Sequence, residues 1–288
     1  GLEGRIIETL MPDQPFVFDT LKLLMSRHNV LVHNSLNVII PARQNGDNQL
    51  SIQTRPTEDS SNYSYTRWYV DWPAATDASS IADDVTRTLN MSRAMVTDFH
   101  KMVRKIHDVA NEFDYLSNVD KKHSSDAAEV RDLLGWLIKD HFVFMGISVY
   151  ELDGSTMKVS ADKGLGFMRG QVLPSGDTTD SALEFLQRKG GLEWPIARIR
   201  KSSEDSLVHR SGKVDEIIVR TFDDQGKLNG GICIHGLFTF KGLGEAGSSI
   251  PILRRKVDRL IRGQETVEGS YEYKSLLNSF NALPVEYL

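Results

Sequence analysis

The apolar positions of this chain change period several times, and each change marks an element. In residues 15–28, Phe16, Leu21, Leu24 and Met25 recur on one helical face, with Asp13 placed to cap and Pro15 suited to the first turn, where its missing N–H would be unpaired anyway. From Val30 the run VLVHNSLNVII is dense enough for a strand, and the polar residues 45–48, NGDN, close it with types that tolerate positive φ. The tail of a strand, residues 5–10, leads in. Residues 49–55 read as a further strand and 56–65 as a polar loop. TRWYVDW then alternates about Trp68, Val70 and Trp72 until Pro73 stops it. Strand, helix and three strands make a small α+β module whose sheet one helix can cover.

The longest periodic signal follows. Ile81, Val85, Leu89, Ser92, Val96, Phe99, Val103, Ile106, Ala110 and Phe113 form one stripe of a helix roughly 50 Å long at 1.5 Å per residue, more than the preceding module can cover. Its far half needs a cover. A hairpin with the helix predicted over 125–139 is favoured over contact with a second subunit. From residue 140 the pattern becomes strand-like: HFVFMGISVYEL, a glycine-rich turn, a short helix over 180–188, then ARIRKS, DSLVHR, DEIIVRTFD and LNGGICIHGLFTF. Antiparallel strands with intervening helices imply a PAS-like sheet domain over 141–245. Helices over 250–262 and 271–280 complete the pattern. The boundaries drawn are 1–78, a helical connector 79–140, 141–262, and 263–288.

Composition narrows the function classes. Of 288 residues, 40% are apolar and 25% charged, which is soluble and globular, and no apolar run or signal segment marks a membrane protein, so a cytoplasmic location follows. The net charge of −5 is spread along the chain, leaving no footprint for nucleic acid or an anionic membrane. One local exception is the basic helix carrying Arg254, Arg255, Lys256, Arg259 and Arg262; a solvated polar face is its simpler reading, docking onto an acidic surface the other. The single cysteine, Cys233, lies in an apolar run and reads as a core thiol, not a nucleophile.

Chemistry-bearing patterns are sparse. Gly164, Gly166 and Gly170 have the wrong spacing for a dinucleotide loop and read as a turn. The eight histidines show no metal-ligand spacing, so no metal site is expected. Asp83 with Asp84, and Asp223 with Asp224, fit a helix start and a turn. No Ser/His/Asp grouping, catalytic residue or cofactor-binding residue stands out. Lys201, Ser206, His209 and Arg210 form the densest polar cluster of the second half, a candidate anion or ligand site, although a hydrogen-bond network at a strand edge is the simpler reading.

Nearly the whole chain resembles the N-terminal regulatory region of the large bacterial NAD-specific glutamate dehydrogenases. The resemblance lies in PFVFDTLKLLMSRHNVLVH, DHFVFMGISVYEL, KGLGF, KSSEDSLVHR, DEIIVRTFD, GLFTF, IPILRRKV and YKSLLN, in that order. It implies an ACT-like domain, a helical connector and a PAS-like domain, preceding further ACT-like modules and a catalytic domain beyond residue 288. The parent would convert L-glutamate and NAD to 2-oxoglutarate and ammonia. This chain would regulate and assemble it, with other domains and subunits as partners. In ACT-like modules an amino-acid effector sits at a turn and helix start, here Met11, Asp13, Gln14, Phe16 and Asp19. Ligand-binding members resemble one another in a D-x-P-G-like turn, whereas this chain has Phe16 at the glycine position, so a structural role is expected for that turn. The alternative is a small-molecule sensor holding a ligand near Phe142, Phe144, Cys233 and Phe238.

Overall fold

Two antiparallel sheets and the helices that cover them organise the computed structural model, which describes residues 4–45, 49–72, 77–119, 122–170, 177–188, 195–264 and 266–282. The chain divides into two compact units, the first comprising Gly1–Val96 with Ser206–Gly212, the second Thr97–Asp205 with Lys213–Leu288. The architecture is mixed α and β.

In the first unit, β1 (Arg5–Pro12), α1 (Val17–Arg27), β2 (Leu31–Gln44), β3 (Leu50–Ile52) and β4 (Ser61–Asp71) give the sheet order β1-β4-β2-β3. β4 runs antiparallel to both β1 and β2, so β1 and β2 are parallel with α1 as their crossover, a split βαβ unit. Among the described residues no further strand pairs with the outer edge of β1. β4 starts earlier than the apolar pattern suggests, because its inward positions continue through Ser64 and Thr66, buried and hydrogen bonded: Thr66 meets Thr9 at 2.7 Å and accepts from the Trp68 indole at 3.0 Å. The strand expected over 49–55 shrinks to three residues, and residues 46–48 of the polar turn lie outside the described residues. Val17, Leu21, Leu24 and Met25 of α1 close on Trp68, Val70, Ile81 and Val85, each fully buried side chain stabilising by about 2 kcal/mol.

The helix α2 (Ala78–Val119) is continuous over 42 residues. Its buried stripe follows the expected one through Ser92, then shifts to Met95, Asp98, Met102, Ile106, Val109, Phe113 and Leu116; Phe99, assigned to the buried face, is 44% exposed. A 3.6-residue helix drifts against a near-heptad pattern, and Met and Asp take inward places that apolarity alone would not assign. In the second unit this stripe packs on α3 (Ser124–Trp136), the hairpin favoured from sequence, and on the second sheet. After α3 a wider turn spans Leu137–His141, where Asp140 takes φ 64, so the helix ends earlier than expected.

The second sheet contains β5 (Phe142–Asp153), β6 (Thr156–Val159), β7 (Leu165–Gly166), β8 (Ala197–Asp205), β9 (Lys213–Phe222) and β10 (Leu228–Phe238), ordered β6-β5-β10-β9-β8 with β7 beside β5. DSLVHR is a loop, not a strand, for most of its length. One face carries Ile147, Val149, Ile217, Val219, Ile232 and Ile234 against α2 and α3. The other carries Tyr150, Ile218 and Cys233 against α4 (Asp177–Gln187). The residues named for a ligand pocket, Phe142, Phe144, Cys233 and Phe238, are divided between the two faces of the sheet. The three phenylalanines fill the first face, with ring centroids 5.2 to 5.4 Å apart for Phe142 against its neighbours, and Cys233 belongs to the opposite face.

α5 (Phe240–Leu243), α6 (Leu253–Arg262) and α7 (Tyr271–Asn281) complete the described chain. The basic face of α6 finds its acidic surface within the unit: Arg254 reaches Glu129 at 2.9 Å and Asp132 at 2.7 Å, and Arg255 pairs with Asp126. Among the described residues no helix is long and apolar enough to cross a membrane.

Candidate functional site

The turn before α1 has the backbone of a glycine turn without the glycine. Phe16 adopts φ 73, ψ −1, which for a residue with a side chain costs about 1 to 2 kcal/mol. Asp13 does not cap α1, contrary to the sequence expectation, and no side chain does. The left-handed Phe16 holds the cap position, while the Asp13 backbone N–H donates to Asn62 at 2.9 Å. Gln14 donates to Ser92 at 3.1 Å, and Met11 packs on the core beneath. Facing the turn is the loop Ser206–Gly212, part of the same unit. Its His209, itself at φ 71, sets its ring 4.9 Å from that of Phe16 and donates its backbone N–H to the Thr20 hydroxyl at 3.2 Å. His209 Nδ1 is buried without a hydrogen-bond partner, 3.8 Å from Asp19 Oδ2. Burial pushes the His209 pKa below its usual value, Asp19 opposing and Arg210 reinforcing the shift. A protein side chain therefore occupies the helix start.

Of the second sequence cluster, Ser206, His209 and Arg210 share one loop and Lys201 lies on a strand. Lys201 sits on β8 in an ion pair with Asp215 at 2.7 Å. The Ser206 hydroxyl donates to Val208 O at 2.7 Å inside its own loop, which also holds His209 and Arg210. Turn logic, by contrast, accounts for KGLGF. Gly166 has φ 64, a Cβ there would lie 2.3 Å from Met145 O, and its N–H donates to the buried Asp98 carboxylate at 3.1 Å. Burial opposes ionisation of Asp98, but hydrogen bonds from Arg169 and Gly166 outweigh it and hold the carboxyl below the usual range. Asp223 likewise accepts from Gln225 and Lys227 around Gly226 at φ 73.

A polar cluster that the sequence reading missed lies on the α4 face of the second sheet. Register places Glu216 of β9 opposite His235 of β10, and Ser148 of β5 opposite Cys233, so four polar side chains share one sheet face. Ser148 Oγ and His235 Nε2 are 3.1 Å apart, His235 Nδ1 and Glu216 Oε1 are 3.5 Å apart, and Arg200 Nε donates to Glu216 Oε2 at 2.6 Å. Glu216, Cys233, Ser148 and His235 are at most 3% exposed. Two buried oxygens, Glu216 Oε1 and the Tyr150 hydroxyl, lack hydrogen-bond partners. Burial opposes the Glu216 charge, but His235 and Arg200 keep its carboxyl below the usual range. Burial raises the Cys233 thiol and the Tyr150 phenol, and the Glu216 charge adds to both. Glu216, Cys233 and His235 come from the β9–β10 hairpin and Ser148 from β5, and strand register brings them together.

Comparison with known proteins points to one class. The sequence profile of the family described as glutamate dehydrogenase, helical motif 1, matches residues 250–288, the segment containing α6 and α7. Two curated relatives extend the similarity over the rest. The NAD-specific glutamate dehydrogenase of Pseudomonas aeruginosa is 25% identical over 293 residues, and that of Halomonas elongata is 24% identical over 301. Each alignment covers 96% of this chain, which spans 18% of either relative's length.

Proposed function

We propose that this chain is a non-catalytic regulatory and assembly segment of an NAD-dependent glutamate dehydrogenase. The parent would oxidise L-glutamate with NAD to 2-oxoglutarate and ammonia in the cytoplasm, and other domains and subunits of that enzyme would be the segment's partners. The first unit is read as an ACT-like module and the second as a PAS-like one.

The observation that carries this reading is the outer face of the first sheet, opposite α1. Ile6 and Leu10 of β1, Leu36 and Val38 of β2, and Tyr69 of β4 lie there, each 39 to 50% exposed, around an Arg67–Glu8 pair. An apolar sheet face of this breadth marks an interaction surface. Its proposed occupant is another domain of the same enzyme, since this chain spans 18% of the length of its relatives.

Effector binding at the α1 turn is given a minor place, because Phe16 and His209 fill the position from within. Calorimetry of the chain against the common amino acids tests this, with no saturable heat expected. Micromolar binding abolished by Asp13→Ala would overturn it.

A further inference from the structure

We propose that Glu216, Cys233 and His235 form a binding site for a divalent transition-metal ion of the zinc class. One ligand atom from each lies within 4.8 Å of the other two, and all three side chains are buried. This goes beyond the regulatory reading and does not depend on it.

The argument rests on which atoms are already engaged. His235 holds Ser148 through Nε2, and Glu216 holds Arg200 through Oε2. The atoms left over are His235 Nδ1, Glu216 Oε1 and Cys233 Sγ. Metal-binding histidines and carboxylates characteristically use their second nitrogen or oxygen in this way, fixing the orientation of the first. When Nε2–H donates to Ser148 Oγ, the tautomer that a metal-bound Nδ1 requires, the Nδ1 lone pair faces Glu216 Oε1 at 3.5 Å. Two acceptors facing each other in a dry site need a positive charge between them. Their separation is close to that of two ligands on one tetrahedral ion, about 3.3 Å for bonds of about 2.0 to 2.1 Å. With the three ligand atoms within 4.8 Å of one another, closing the thiol onto the same point needs a shift of at most about 1 Å, within reach of a side-chain adjustment. The Tyr150 hydroxyl, also buried without a hydrogen-bond partner, is a candidate fourth ligand on this sheet face.

The donor set selects the ion. Thiolate with imidazole suits zinc or cobalt(II), while calcium and magnesium require oxygen ligands. Charge also balances locally, because the Glu216 carboxylate and the Cys233 thiolate neutralise a divalent cation, while Arg200, 19% exposed, retains contact with water. The same groups occur in the order of a nucleophilic triad, Ser148, His235, Glu216. An acyl substrate would need access that side chains at most 3% exposed do not give, whereas a single ion needs little room. A cysteine ligates as its thiolate, so binding releases a proton for each ion bound.

The test is titration of the chelator-treated 288-residue chain with cobalt(II), followed by absorption, metal analysis and proton release in weak buffer. The expected result is equimolar cobalt with a thiolate charge-transfer band, tetrahedral d–d absorption, one proton released per ion, and a raised Tm with zinc. Cys233→Ser should remove the charge-transfer band, and His235→Gln should weaken binding at least about tenfold. Near-UV circular dichroism reports whether each variant remains folded. Cobalt well below equimolar in the folded wild-type chain, or an identical spectrum in folded Cys233→Ser, would show instead that a shared proton or buried water reconciles the orphaned atoms.

Discussion

The two sheets use similar apolar strands to opposite ends. In the second, β9 and β10 are buried almost from end to end, with helices on both faces. In the first, β2 also has an apolar run, yet most of its residues are exposed; the core packs against only part of one face, where Ile39 is still 46% exposed, and Leu36 and Val38 point to the other. Hydrophobic patterning thus reports that a strand has a face to bury, not that its own unit buries it. The second sheet is covered within its unit, while the outer face of the first is exposed among the described residues.

The largest effect should separate the sheets by mutation. Ile234→Ala, at a fully buried position, should cost about 3 kcal/mol in urea unfolding, against less than about 0.5 kcal/mol for Val38→Ala. Equal costs would mean that the outer face of the first sheet is already covered within the chain.

Next in size is the charge that ties α2 to the glycine turn. Asp98→Asn should cost about 2 kcal/mol at pH 7, because it weakens the bonds from Arg169 and Gly166 at a fully buried site. The folded carboxyl titrates below its usual value, so its stabilising contribution is complete above about pH 4 and is lost as pH falls through the lower folded value. The acid limb of the wild-type stability profile should therefore flatten in the variant.

The smallest effect concerns the turn before α1. Phe16→Ala and Phe16→Gly both lose the ring contact with His209, but only glycine relieves the left-handed backbone. Phe16→Gly should exceed Phe16→Ala in stability by about 1 kcal/mol by thermal unfolding. Equal stabilities would show that the turn relaxes when the ring is removed.

Element types and order were largely legible, because α1, α2, α3 and the main strands carry strong periods. Departures occurred where a polar residue took a buried place. Ser64 and Thr66 extend β4 inward, and Asp98 enters the α2 stripe in place of Phe99. The glycine turn of KGLGF was readable from local chemistry. Asp13 as a cap was not, since a left-handed Phe16 reorganised the turn. The cluster of Ser148, Glu216, Cys233 and His235 had no local signal at all. Alternation could place Cys233 and His235 on one face, but their partners depend on strand pairing that one sequence does not reveal.

The most direct test is to place Leu36→Asp with Val38→Asp in both the 288-residue chain and the proposed parent enzyme. Thermal unfolding is then measured for the chain, and light scattering with glutamate-dependent NAD reduction for the enzyme. The chain should keep its Tm to within about 2 °C, as exposed substitutions do, while the enzyme loses assembly or activity. An enzyme whose mass and turnover are unchanged by both charges would contradict an assembly role for this sheet face.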